Sequence, residues 1–257
     1  MKLENISKRY EWAKRHRRHS YRNWVDIDEK WFRIGSCNII SKAPPGTAKQ
    51  YEHKPSHQPQ VMFLSAIARP NKSHNFDGKI GIWPVVEKYK AKQTTANQTV
   101  GDELVRNITM DGETFQRMMI DEVFPSIWAK MSYAKKVTVQ IDGARAHSKK
   151  TTLDMIKKAA AEPPGGVGPI IEIVFQVANS PDTNLNDLCF FYSLDKESQK
   201  YKKLNLKDII STVQREYNNY YSDKLDCLWQ IKTAVAQLIY DNQGRNNFDI
   251  PHGILNM

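Results

Sequence analysis

Val25-Asp26-Ile27-Asp28-Glu29-Lys30-Trp31-Phe32 reads as the centre of a β-strand, because its side chains alternate with the period of two that a pleated backbone imposes. The strand covers about residues 23–34, with Val25, Ile27 and Trp31 on one face and Trp24, Asp26, Asp28 and Phe32 on the other. Two further stretches also set a carboxylate at the edge of an apolar segment. In Val139-Gln140-Ile141-Asp142-Gly143-Ala144-Arg145-Ala146-His147 the acid ends a strand, and in Asn179-Ser180-Pro181-Asp182-Thr183-Asn184-Leu185-Asn186-Asp187-Leu188 it lies in a turn that opens a helix. Three carboxylates brought together from distant points of a chain make a site for divalent metal ions and phosphodiester chemistry.

Around these stretches the pattern predicts alternating strands and helices. A basic helix over 3–18, with Ile6, Tyr10 and Trp12 as packing residues, precedes the first strand, and a long Pro-, Lys- and His-rich loop over 41–58 follows it. Strands at 61–68 and 79–86 then extend an antiparallel meander. Helical spacing over 111–131 is interrupted by Pro125, where a kink or restart is expected. A strand over 136–142 leads to a helix over 152–161, stopped by Pro163, Pro164 and the glycines at 165, 166 and 168. That glycine cluster is a turn and no phosphate loop, since it lacks the Lys-Ser/Thr ending and precedes a strand. The strand at 170–177 is nearly all apolar and is expected at the centre of the sheet. Helices follow from about 185, over 205–220 and over 222–240. The order is that of a mixed α/β domain with helices on both faces of one sheet of about five strands. The division expected is a basic helical connector at 1–20, a central domain at 21–200, and C-terminal helices at 201–257 packed on that same domain.

Composition points to an anionic partner. The chain of 257 residues has 40% hydrophobic residues and six Trp, which favours a globular protein, and carries a formal net charge of +10. Nucleic acid is the leading candidate for a partner of such a chain. Lys2, Lys8, Arg9, Lys14, Arg15, Arg17, Arg18 and Arg22 stand against only Glu4 and Glu11 between residues 2 and 22, a segment suited to tracking phosphates. Cys37, Cys189 and Cys227 are widely spaced with no Cys-x-x-Cys pair, so neither a disulfide framework nor a structural zinc site is expected. No apolar run reaches membrane-span length and no secretory signal opens the chain, which fits an intracellular protein. The Lys14-Arg15-His16-Arg17-Arg18 cluster has the composition of a nuclear address.

The element order, with acids in strand one, at the end of strand four and at the start of a late helix, resembles the ribonuclease-H-like fold. Five segments in order resemble the Tc1/mariner-type transposases more closely: Ile27 to Phe32, Val61 to Pro70, Asp77-Gly78-Lys79-Ile80-Gly81-Ile82-Trp83-Pro84, Gln140 to His147, and Asn179 to Leu188. The resemblance covers about residues 20–195. It implies a catalytic and metal-binding set of Asp28, Asp142 and Asp187 holding two Mg2+ or Mn2+ ions, with Asp142 bridging them. It also implies hydrolysis at the ends of a cut-and-paste DNA element, then attack of the freed 3′ hydroxyl on target DNA at a TA dinucleotide, in the nucleus. Double-stranded DNA would be met by Arg15, Arg17, Arg18, Arg22, Arg145 and His147, and the loop at 41–58 corresponds to a segment that clamps a partner subunit, which implies a homodimer.

The sequence departs from the family in two ways. Gly143 stands where the family has Asn and Arg145 where it has Pro, and the helix-turn-helix modules that normally precede the catalytic domain are expected to be absent. Read without the family, Asp28 is a solvated strand residue, Asp142 a turn former, Asp187 a helix N-terminal residue and Asp182 the turn residue of Ser-Pro-Asp. Alternation sets Glu29 on the face opposite Asp28, and Trp24, Trp31 and Trp83 read as core residues. Two other functions remain open: a non-catalytic DNA-binding remnant of a transposase, and a general ribonuclease-H-like nuclease.

Overall fold

The computed structural model describes residues 2–33, 58–95, 98–201, 203 and 205–250. The loop at 41–58, apart from residue 58, and the last residues of the chain lie outside this set. Five strands form one sheet in the order β3-β2-β1-β6-β7, where β1 is Trp24–Arg33, β2 Gln60–Ala68, β3 Lys79–Pro84, β6 Lys136–Ile141 and β7 Ile170–Phe175. β1, β2 and β3 form the expected antiparallel meander, whereas β6 joins β1 and β7 joins β6 in parallel. A separate two-stranded hairpin, β4 (Val86–Lys90) with β5 (Glu103–Asn107), extends beyond β3. Its strands carry Lys, Glu and Arg among a few half-buried apolar residues, too little alternation to have announced them.

Helices cover both faces. α1 (Leu3–His16), α6 (Phe191–Ser198), α7 (Leu206–Asn218) and α8 (Ser222–Asp241) enclose one core, into which β1 sends Trp24 and Phe32. α2 (Gly112–Met118), α3 (Phe124–Lys130), α4 (Arg145–Ser148) and α5 (Lys150–Ala161) lie between β5 and β7 in the chain, and β1 sends Val25 and Ile27 into the second core, shared with residues of α2, α3 and α5. The alternation in β1 thus feeds two cores at once, as an inner strand of a three-layer domain must. Trp31 departs from this expectation: it is 38% exposed, because the far end of β1 runs past the cover of the second core.

The helix containing Pro125 absorbs it without breaking. Asp111 caps α2 by accepting from the Thr114 N–H at 2.8 Å, a π-turn over Met119–Val123 widens the ladder, and α3 continues from Phe124. Pro125 has no N–H and its ring would meet the carbonyl four residues earlier in a regular helix, so the wider turn falls where the conflict lies. Asn205 caps α7 in the same way as Asp111, accepting from the Asp208 N–H at 3.0 Å.

β7 corrects the sequence reading. It is an edge strand, with Ile170 57% and Phe175 42% exposed. Ile171, Ile173 and Val174 contact the cores on either face of the sheet, so the apolar run records cover above and below and says nothing of pairing on both edges. None of the helices in the described residues is long and apolar enough to cross a membrane.

α1 is no loose connector. Arg9, counted in the sequence among the phosphate-tracking cations, is fully buried; its guanidinium grips Asp182 with both Nη atoms at 2.5 and 2.7 Å and donates from Nε to the Gly244 carbonyl at 3.0 Å. Gly244 has φ +81°, and a Cβ there would lie 2.1 Å from the Ile6 carbonyl oxygen of α1. Gly244→Ala therefore meets both a left-handed backbone, costing about 1–2 kcal/mol, and a backbone clash. Urea unfolding should show at least that loss, with α1 amides exchanging faster than in the parent; an unchanged midpoint and unchanged α1 protection would contradict the packing described.

Candidate active site

The parallel register of β1 and β6 brings two of the three acids together. Trp24, Val25 and Asp26 pair with Thr138, Val139 and Gln140, so two residues further on Asp28 and Asp142 come level, on the same face as Asp26 and Gln140. Asp187 enters from the π-turn Asn186–Phe190 that leads into α6. Asp28, Asp142 and Asp187 line one cleft of about 360 Å3 with Gly143, Ala144 and the loop Gln176–Pro181.

The turn that carries Asp187 is polar, buried and paired almost throughout. Gln140 donates to the Thr183 carbonyl at 2.9 Å, and Gln176 donates to the Ser180 carbonyl at 2.8 Å. Asn184 donates to the Ile27 carbonyl of β1 at 3.0 Å and Asn186 to the Asp26 carbonyl at 3.1 Å. The Leu185 N–H donates to the Asp26 carboxylate at 2.7 Å. Asp182, read as a turn residue, also takes the buried Arg9 pair. The asparagines of Asp182-Thr183-Asn184-Leu185-Asn186-Asp187 are therefore the fasteners that bring Asp187 against β1.

Burial, reinforced by charge repulsion, sets the electrostatics of the cleft. Burial pushes the Asp28 carboxyl up from an ordinary 3.8 to about 9, helped by the charges of Asp187, Glu29 and Asp142, while the Glu29 N–H donating to its Oδ1 at 2.8 Å opposes the shift. Asp187 is also raised, first by burial and then by Asp142 and Glu29, against a hydrogen bond shared with Asp28 and the nearby charge of Lys30. Burial works against the Asp142 carboxylate too, but the His147 hydrogen bond and charge and the Ala144 N–H hold it below the ordinary value. His147 is itself penalised by burial, yet Asp142 and Glu29 raise its pKa to about 9.

His147 is 4% exposed, stacks on Phe115 at 3.8 Å, hydrogen-bonds Asp142 through Nδ1 and lies 3.1 Å from Glu29 through Nε2. So buried a ring offers little surface to a duplex, and of the supporting or DNA-contacting role expected of it the structure shows the supporting contact, to Asp142. Alternation does turn Glu29 away from Asp28, as expected, and that very face is where it meets His147. The sequence reading thus passed over Glu29, Asp26, Arg9, Asn184 and Asn186. Asp26 alone carried a signal, since it shares the face of Asp28 and yet stands in the most buried part of the strand.

The remaining cations are dispersed. Arg15 is exposed and, with Lys8 and Glu11, lines a second cleft of about 420 Å3 that adjoins the first through Gln176, Val177 and Ala178. Arg17 lies 4.2 Å over the Tyr240 ring, docking α1 on α8. Arg18 and Arg22 are exposed, and Arg145 begins α4 directly after the Asp142 loop. A Cβ at Gly143 would meet nothing within 4 Å, and its φ is not left-handed, so the departure from Asn is not imposed by space.

Among the described residues no group of three or more His, Cys, Asp or Glu side chains stands ready to hold a metal ion as it is. The donor chemistry of the cleft nevertheless fits a hard divalent cation: its charged lining side chains are all carboxylates, and their mutual repulsion is what such a cation would relieve.

No family model matches the chain, and no curated protein matches it in sequence. Solved structures do. The catalytic domain of Mos1 mariner transposase superposes with a TM-score of 0.62 at 12% identity, covering 97% of this chain and 98% of that one. A pre-cleavage Mos1 transpososome gives 0.69 at 13% identity, covering 97% of this chain and 65% of that chain. The Mos1 mariner paired end complex with Mn gives 0.67 at 13%, with the same coverage. This chain thus spans 65% of the protein chain in those complexes and nearly all of the isolated catalytic domain. At such identity the agreement is one of architecture, and the chain has the ribonuclease-H-like α/β fold of the Mos1 mariner transposase catalytic domain.

Proposed function

We propose that this chain is the catalytic domain of a mariner-type DNA transposase, cutting and joining phosphodiester bonds with divalent metal ions. The observation that carries the reading is the convergence of Asp28, Asp142 and Asp187 from three distant segments on one cleft, with Asp28 pushed to about 9. Two Mg2+ or Mn2+ ions, held by these three carboxylates, would supply an activated oxygen nucleophile and neutralise charge on the transition state and leaving oxygen. His147 and Glu29 keep Asp142 ionised and oriented. Lys30, close enough to Asp187 to favour its charged form, sets a cation beside the acids where a phosphate would arrive. Arg15, Arg18, Arg22 and Arg145 are the proposed phosphate contacts along double-stranded DNA, comprising element ends and a TA-containing target. A homodimer and a nuclear site of action belong to the same proposal.

The test is strand transfer of precut ends of the chain's own element into a TA-containing plasmid with Mg2+ or Mn2+. Asp142→Ala should abolish product while leaving salt-sensitive DNA binding intact. Product surviving in that variant would sink the assignment. DNA binding without metal-dependent product from the parent chain would instead identify the non-catalytic remnant, and cleavage of any RNA–DNA hybrid a general nuclease.

The cleft also implies a stability cost without metal. Asp28 has a folded pKa above its unfolded one, so the folded state binds more protons between pH 3.8 and about 9, and stability falls as pH rises through that window. In chelator, Asp28→Asn should melt several degrees above the parent at pH 8, with the difference vanishing below pH 4. Millimolar Mn2+ should raise the melting temperature of the parent and leave the variant unmoved. A variant melting at or below the parent at pH 8 would refute this. Gly143→Ala should stabilise by about 0.4–1 kcal/mol, since it narrows the unfolded ensemble at a position with open space; a loss in urea unfolding would show that the glycine is required.

A further inference from the structure

Asp26 and Lys232 form an ion pair with neither side chain exposed, Nζ to Oδ2 at 2.5 Å. Lys232 lies on α8, forty-five residues beyond Asp187 in sequence. Its ammonium also faces the rings of Tyr21 at 4.9 Å, Trp229 at 5.1 Å and Trp24 at 5.4 Å. The Asp26 carboxylate takes three donors from three parts of the chain: the Trp24 indole N–H at 2.8 Å from its own strand, Lys232 from α8, and the Leu185 N–H at 2.7 Å from the turn two residues before Asp187. Its backbone carbonyl takes a fourth, from Asn186 at 3.1 Å. Asp26 itself stands two residues before Asp28 on the same face of β1.

We infer that Lys232 is a positioning residue for the carboxylate cleft: by neutralising and orienting Asp26 it fixes the Leu185 N–H, and through it the distance between Asp28 and Asp187. Two features argue for this over a purely stabilising role. A buried pair is seldom more stable than apolar residues of like volume, so its presence in this core calls for a geometric reason. Moreover Lys232 and the Leu185 N–H share one oxygen, Oδ2, so the ammonium holds that oxygen in the orientation that meets the turn. Bidentate Arg9–Asp182 holds the same turn further upstream, so two ionic anchors precede Asp187. The inference rests on the cleft being a metal site, and its test separates the two claims.

The test uses the full chain with Asp26→Leu/Lys232→Met, which removes the pair without stranding a charge. The double variant should melt somewhat below the parent, because the buried Trp24 and Leu185 N–H groups lose their acceptor, bind Mn2+ about 10–100-fold more weakly by electron paramagnetic resonance, and lose kcat by a like factor with KM for DNA unchanged. A folded double variant with the Mn2+ affinity and kcat of the parent overturns the inference. If the variant does not fold, amide exchange in the parent decides: the Leu185 N–H must be protected like the core strands, and exchange at the rate of an exposed turn overturns it. Should the parent neither bind Mn2+ nor transfer strands, the metal-site reading fails, while loss of Leu185 protection in a folded Lys232→Met variant, which keeps the Asp26 acceptor, still supports positioning and its retention still refutes it.

Discussion

A carboxylate with no solvent exposure must be paired or be protonated, and that constraint at Asp26 organises much of this molecule. Strand alternation sends Asp26 and Asp28 to the same face, but their surroundings differ. Asp26 lies among Trp24, Tyr21 and Trp229 and is satisfied by donors from its own strand, the Asp187 turn and α8. Asp28, one step along, opens on the cleft and is satisfied by little beyond the Glu29 N–H and its partner Asp187. The same side-chain type is thus a fastener at one position and an acid with a strongly raised pKa in an open cleft at the next. What separates them is the number of donors within reach.

The electrostatic layout follows from this division. Three cations are engaged away from the cleft acids, Lys232 with Asp26, Arg9 with Asp182 and Arg17 over Tyr240, whereas Lys30 stays near Asp187. The cleft acids are left to repel one another, except Asp142, which His147 holds charged. Strain of this kind is stored where surrounding structure over-determines the geometry, and here two buried ion pairs and two asparagines do so. The surplus positive charge of the chain stays on exposed side chains such as Arg18 and Arg22, outside the ring of acids. A polyanion drawn to that surface would meet a negative centre that only cations can make hospitable.

Local pattern and tertiary demand diverge in instructive places. β1, β2 and β3 were legible because one period-two pattern serves both cores, and α7 and α8 because long amphipathic spacing marks them. The hairpin β4–β5 was not, since short strands with charged faces leave no periodic trace. The apolar run of β7 announced burial on its faces, and burial on the faces is compatible with an open edge. Trp31, a core residue by type, lies where the sheet outruns its helices.

The amino-acid sequence by itself determined the order of the strands of the main sheet and of the longer helices, the surplus of positive charge, and the three acids at the ends of apolar segments, because each is a local property of neighbouring residues. It could not decide which acids would be fasteners and which would be left unquenched, nor that Arg9, Glu29 and Lys232 would bear on the cleft. Those partners lie at separations from His147–Glu29 across the sheet to Asp26–Lys232 across most of the chain. Only the parallel docking of β6 on β1 and the return of α8 over the sheet bring them within hydrogen-bond distance.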